Sequence, residues 1–211
     1  MHGKSCVVIR LYITNHSPAV TFESIHMANA VLLAGMSLVP FDTIPMLVPG
    51  ETFETNIHVD FGQKTQAAKF DIVRMGASHT VSLVPEVGEL LRPMYDATVA
   101  SFDTIYTALT GMHDNSFSVD APTVIKSVAD WDIVSRVSRC SALGVVASAP
   151  ADGMIRFGGT TLLADVPVLV SVMLVEAEGR LSASCSVRSE NAFMGASIVG
   201  VIKAALKSSK L

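Results

Sequence analysis

The chain has 211 residues, half of them hydrophobic and only 16% charged, with 15 Lys/Arg against 19 Asp/Glu for a net charge of −4. This balance, with no basic cluster beyond Lys203, Lys207 and Lys210 at the end, gives no electrostatic footprint for nucleic acid. The mean hydropathy of +0.47 is high, yet the longest apolar stretches, Val166 to Val175 and Ala192 to Ile202, fall short of the roughly 20 residues that cross a bilayer.

The amino-terminal residues lack a small-residue cleavage site, so no secretory signal is expected. Val7, Ile9, Leu11 and Ile13 alternate with Arg10, Tyr12 and Thr14, and a two-residue period predicts a strand. The pattern returns after the Pro49-Gly50 turn, with Phe53, Thr55, Ile57, Val59 and Phe61 against Glu54, Asn56, His58 and Asp60. Weaker strands are predicted at 21–27, 68–74 and 78–84, the last two joined by a hairpin at Gly76-Ala77. Short strands at this spacing predict an antiparallel sandwich.

The period changes after Pro93. Asp96 is the expected cap of a helix with Val99, Phe102, Ile105 or Tyr106, and Leu109 on one stripe and Gly111 as its stop. A second helix is predicted from Pro122, with Val124, Ile125 and Val128 turned inward. Strands are predicted at 140–147, 154–163, 166–175 and 181–188, then a helix from Ser189 carrying Met194, Ile198, Val201, Ile202, Ala205 and Leu206. Lysines 203, 207 and 210 suit the negative end of that helix. The expected domains are a β-sandwich over 1–90 and an α+β subdomain over 91–211.

Motifs for chemistry are incomplete. Asp60-Phe61-Gly62 has the form of a kinase magnesium site but lacks the glycine-rich loop, strand lysine and catalytic loop; a strand end is the simpler reading. Gly3-Lys4-Ser5 and Phe157-Gly158-Gly159-Thr160 are fragments of phosphate loops, and the double glycine reads as a bulge or bend in a strand. The six histidines have no metal-ligand spacing, and Cys6, Cys140 and Cys185 read as free thiols in a reducing compartment. No catalytic, cofactor or metal site is predicted, and an enzyme ranks last among the readings. Leu38-Val39-Pro40-Phe41-Asp42 has the form of a clathrin-binding peptide, but its position between strands favours a packed strand and turn. Trp131 is either a partner anchor or a cap on the core.

Three stretches in order carry a resemblance: Asp60-Phe61-Gly62 with Thr65, Gln66, Ala68 and Phe70; Pro85 with Gly88, Glu89, Leu90, Leu91 and Pro93; and Leu109-Thr110-Gly111-Met112. In this order and spacing they resemble the carboxy-terminal ear of the β subunit of adaptor protein complex 3, strongly over 57–112 and more weakly over most of 5–211. Gly62 departs from the cysteine usual there, and His113-Asp114 from Asn-Glu.

The resemblance implies an immunoglobulin-like sandwich followed by a platform-type α+β subdomain. It implies a non-catalytic ear of a coat subunit, cytosolic and peripheral to Golgi or endosomal vesicles, serving traffic towards lysosome-related organelles or vacuoles. Other adaptor subunits and accessory trafficking proteins are its implied partners, with no nucleic acid and no cofactor. The alternative is an ear-like structural domain that caps its own coat without accessory partners. The chain is either a fragment of a longer subunit or a separate ear. The aromatic pair of the platform pocket in related ears has no match in this sequence, and the expected binding surface lies near Trp131 and Arg156, because a large aromatic and an arginine are common contact anchors.

Overall fold

The structure, a computed structural model, describes residues 6–109, 114–125, 127–148, 153–177 and 180–209. The chain divides into two compact units, Met1–Pro85 and Glu86–Leu211.

The first unit contains β1 (Cys6–Thr14), β2 (Phe22–Val31), β3 (Ser37–Val39), β4 (Ile44–Leu47), β5 (Thr52–Asp60), β6 (Ala68–Arg74) and β7 (Ala77–Leu83). They form a three-stranded sheet, β1-β5-β3, and a four-stranded sheet, β4-β2-β6-β7, with antiparallel pairing throughout. Alternation buries Ile57 and Val59 in one sheet, and Ile25, Ile44, Leu47 and Phe70 are buried in the other, all 0–1% exposed; β4 and β2 are irregular, with Ser24 at positive φ. Interdigitated apolar faces of this kind hold a sandwich together.

Turn chemistry follows the sequence closely. The β6–β7 hairpin turns on Met75 and Gly76, both at positive φ, the geometry that matches strand twist in a two-residue connection. Asp60-Phe61-Gly62 ends β5: the Asp60 Oδ1 accepts from the Gly62 amide at 2.9 Å, and Phe61 is fully buried. Gly62 has φ +55, and a Cβ there would collide with the carbonyl oxygen of Gly35. In the stretch 38–42, Leu38 and Val39 lie in β3 as expected and Phe41 is buried, while Val39, Pro40 and Asp42 are exposed.

The second unit opens with a single 3-10 turn at Val87–Leu90 and then has β8 (Leu91–Pro93), α1 (Val99–Ala108), β9 (Asp114–Asp120), α2 (Val128–Trp131), α3 (Ile133–Ser141), β10 (Gly144–Ala147), β11 (Met154–Thr161), β12 (Pro167–Ala177), β13 (Arg180–Arg188) and α4 (Ala192–Lys207). One antiparallel sheet runs β10-β11-β12-β13-β9, and β8 pairs with the far end of β11. Asn115 and Val187 are register partners, and Gly195 of α4 lies over the Asn115 side chain; Ala183, Cys185 and Val187 are buried on that face. On the opposite face α1 places Phe102 and Leu109 against Leu169. The architecture is a β-sandwich followed by an α+β unit.

Several expectations shift. Residues 86–90, placed with the sandwich by sequence, lie in the second unit, where Val87 and Leu90 are buried. The α1 cap is Thr98, not Asp96: its hydroxyl accepts from the Ser101 amide and Ser101 returns a bond to the Thr98 amide. No helix starts at Pro122, where the described backbone makes only a turn from Pro122 to Ile125 and Val124 is 64% exposed. Helix first forms in α2, capped by the Ser127 hydroxyl through the Asp130 amide, and again after Asp132, whose carboxylate caps α3 through the Ser135 amide. Cys140 therefore ends a helix rather than starting a strand, because Ile133, Arg136 and Val137 bury one helical face. The final helix begins after Asn191, not at Ser189, since Asn191 accepts from the Met194 amide. Gly158 and Gly159 form no bulge in β11, which pairs continuously with β12. The irregularity lies in β10, between Val145 and Ala147, and Gly159 instead admits the close approach of the Arg92 carbonyl.

Candidate functional site

Trp131 and Arg156 do not form a surface. Trp131 is fully buried, and its Nε1 donates to the Leu206 carbonyl at 3.1 Å. Next to it, Arg136 donates from Nε to the Trp131 carbonyl at 2.8 Å and from Nη1 to the carbonyls of Ala205 and Ser208 at 3.0 and 2.8 Å. The last carbonyls of a helix have no partner within it, and a cation there also suits the helix dipole; α4 is thereby fastened to the α2–α3 corner. Arg156 is 4% exposed and donates to Asp103 at 3.0 Å and to the Met154 carbonyl at 3.1 Å. A tryptophan and an arginine whose donors are used inside the fold present no anchor to a partner, which corrects the expectation from residue type.

The polar contacts between α1 and the sheet continue inward. Tyr106 stacks on Phe102 at 5.3 Å, shares a 2.6 Å bond with Ser171 and lies under the Arg188 guanidinium at 3.8 Å. Arg188 pairs with Asp114 at 2.8 Å. Burial pushes the Asp114 carboxyl up, and bonds from Ser186, Arg188 and Ser116 more than offset this, holding it below the usual carboxylate range. Burial pushes the thiols of Cys140 and Cys185 up to about 11 and about 12, so neither forms a thiolate near neutral pH.

The family-motif residues occupy structural positions. Phe61, Ala68, Phe70, Leu90, Leu91 and Leu109 are buried; Asp60 caps a turn, Thr65 and Gln66 lie between β5 and β6, and Pro85 precedes the 3-10 turn that holds Gly88 and Glu89. Pro93 pairs with Gly159, and a Cβ on Gly88 would press on Ala142. Thr110, Gly111 and Met112 lie outside the described residues. Among the described residues no three His, Cys, Asp or Glu side chains gather as a metal site.

The open feature is a groove of about 930 Å³ in the first unit. Three strands cannot cover four, so the inner face near the β6–β7 hairpin stays accessible beside β1. Its floor is Ile25 and Ile72, its walls are Tyr12 to Thr14 on one side and Arg74 to His79 on the other, and the 16–20 loop closes one end. Buried Asn15 fixes that loop: its Nδ2 donates to the carbonyls of Val20 and Leu47, and its Oδ1 accepts from the Ser17 amide. Arg74 stacks on the Phe22 ring at 3.7 Å. Sequence reasoning missed this site; the signal available was Tyr12 on the polar face of β1.

Two family models match the chain. One describes the carboxy-terminal part of the clathrin-adaptor complex-3 beta-1 subunit and covers residues 1–66; the other describes the carboxy-terminal domain of AP-3 complex subunit beta-1 and covers residues 88–206. The chain is 30% identical to the AP-3 complex subunit beta-2 of Mus musculus over 193 residues, 92% of this chain and 17% of that protein. It is 28% identical to the AP-3 complex subunit beta-1 of the same organism over 200 residues, 95% and 17% of the two chains. With the AP-3 complex subunit beta of Dictyostelium discoideum it shares 34% identity over 87 residues, 41% and 8%. The chain thus spans less than a fifth of the length of these curated relatives. One family match lies within each structural unit apart from a short interval, the second covers more than half of the chain, and the chain belongs to the family of carboxy-terminal appendages of AP-3 beta subunits.

Proposed function

We propose that the chain is a non-catalytic, protein-binding appendage of a vesicle-coat adaptor subunit. It works in the cytoplasm, peripheral to Golgi or endosomal membranes, in transport towards lysosome-related organelles or vacuoles, with other adaptor subunits and accessory trafficking proteins as partners. The observation that carries this reading is the succession of the two family matches, one on each unit and in chain order. In keeping with a peripheral place, no helix among the described residues is long and apolar enough to cross a membrane. The two units are separate folding domains on this reading, joined near residue 85.

Affinity capture from cytosol with the intact 211-residue chain tests the proposal. Recovery of adaptor subunits together with other trafficking proteins is the expected result; recovery of neither contradicts it. The inward Trp131 and Arg156 favour a second reading for the 86–211 unit, that it caps its own coat. Under that reading capture yields coat subunits alone, and removal of residues 86–211 abolishes it.

A further inference from the structure

We propose that the free edge of β1 and the adjoining groove bind an extended acidic peptide from a partner protein, which adds to the three-stranded sheet as its fourth strand. The inference rests on the protein-binding reading above and names the surface and ligand chemistry for it.

Three observations in the first unit converge. Among the described residues β1 pairs with β5 alone, so one side of a nine-residue strand carries amides and carbonyls with no ladder partner. Long edge strands are normally shortened, charged, bulged or covered. On the outer face of β1, Val8 and Tyr12 flank Arg10 and are 58% and 61% exposed, and Ile9, Leu11 and Ile13 are only half-buried inside. The edge of the other sheet is built differently, with Ser78, His79, Thr80 and Ser82 along β7. The more apolar of the two edges is the one beside the groove.

The charge of the groove selects the ligand. Its ionisable lining is His16, Arg74 and His79 besides the phenol of Tyr12, with no carboxylate in the wall. Among the described residues Arg74 has an aromatic partner and no carboxylate at ion-pair distance. Acidic groups do lie nearby: Glu54 is engaged by Arg10 on the outer face, and Asp71, close to His79, accepts from Asn29 and Thr80. An added strand would turn alternate side chains towards Ile13, Phe22 and Ile72, while carboxylates at its groove end meet Arg74. Main-chain bonds supply affinity in such strand addition, and alternate side chains supply selectivity.

Amide chemical shifts of the intact chain can be followed while ten-residue peptides of Asp/Glu alternating with Phe or Leu are added. The expected result is perturbation along Val7 to Thr14 and at Arg74. Backbone N-methylation of alternate peptide residues should abolish it, as should replacement of Asp/Glu by Lys. Arg74→Glu should weaken binding about tenfold or more, as loss of a charge-assisted contact does, while Arg74→Lys retains most of it; the spectrum of each variant reports its folding directly. Equal binding by the N-methylated or lysine peptide, shifts confined to other surfaces, or no binding would overturn the proposal. So would β1 shifts that depend on chain concentration without peptide, which would identify a second copy as the occupant. If peptides fail while cytosolic capture still recovers adaptor and trafficking proteins, the groove assignment falls and the appendage reading stands.

Discussion

The two units bury their sheets by different means. In the second, α1 lies on one face and α4 on the other, and charged groups are used up internally: Arg136 on helix carbonyls, Arg156 on Asp103, Arg188 on Asp114. In the first, two sheets of unequal width cover each other, and the remainder is an open groove beside an unpaired strand edge. Aromatic and arginine side chains occur in both. Their consequences differ because a helix layer can enclose both faces of a sheet, whereas a three-stranded layer leaves part of a four-stranded one in solvent. Arg74 stacked on Phe22 is thus accessible, while Arg156 near Phe102 is not.

The largest expected effect tests whether the units melt separately. Trp131→Ala removes a fully buried indole and its bond to Leu206, a loss of about 3–5 kcal/mol. Amide exchange should accelerate throughout the second unit and leave β5 and β6 protected. If β5 and β6 lose protection equally, the units form one cooperative body and the contrast drawn above loses its basis. The counterpart in the first unit is Gly62→Cys, which restores the residue usual in related ears. Here φ +55 and the Gly35 carbonyl oppose any Cβ, and strain plus contact should cost about 2–4 kcal/mol. Urea unfolding followed on the first unit checks this; an unchanged midpoint would mean that the 33–36 turn yields freely.

How much of this was legible in sequence depended on whether local signals were also decisive ones. The alternation of β1 and β5 determines structure within a few residues, so it could be read directly, and the hairpin expected at Gly76-Ala77 lies one residue earlier, at Met75-Gly76. Asp96 and Thr98 are both competent caps, and the choice was made by Ser101, whose hydroxyl completes a reciprocal pair with Thr98. Cys140 was misread because Val145 and Val146 follow it closely; the decisive period lay upstream in Ile133, Arg136 and Val137. β9 went unpredicted although Phe117 and Val119 alternate with Ser116 and Ser118, because only two apolar residues carry the period; pairing with β13 extends the strand over Asp114–Asp120. Of the candidate groove, only Tyr12 on the polar face of β1 is marked in the sequence. The groove itself arises from the difference between three strands and four, a property of pairing rather than of any segment. Trp131 and Arg156 failed as surface markers for a related reason: residue type gives a side chain's capacity for contact, and only packing decides what receives it.

Acid sharpens the comparison further. The folded Asp114 carboxyl is held below its usual range, so the pair with Arg188 contributes stability fully above the unfolded value of about 4. That contribution is lost as pH falls through the lower folded value. Asp114→Asn should therefore cost about 2 kcal/mol at pH 7, less than a fully enclosed pair because both partners keep some solvent contact. The variant and the parent chain should converge in melting temperature as pH falls below the unfolded value and through the lower folded one. A difference that persists unchanged at low pH would assign the loss to packing instead of charge.

The smallest effects come from two tyrosines, one in each unit. Tyr106 has its hydroxyl 2.6 Å from Ser171 and its ring under Arg188, and Ser171 is 6% exposed. Tyr106→Phe leaves that buried hydroxyl without its partner, a cost of about 1 kcal/mol, visible as a lower melting temperature of the second unit. Tyr12 projects from β1 with 61% of its surface in solvent. Tyr12→Thr substitutes a β-branched residue that also suits a strand, and stability should change by less than about 0.5 kcal/mol. A comparable loss at both positions would mean that Tyr12 is packed in solution, and β1 would then be a covered strand instead of an open edge.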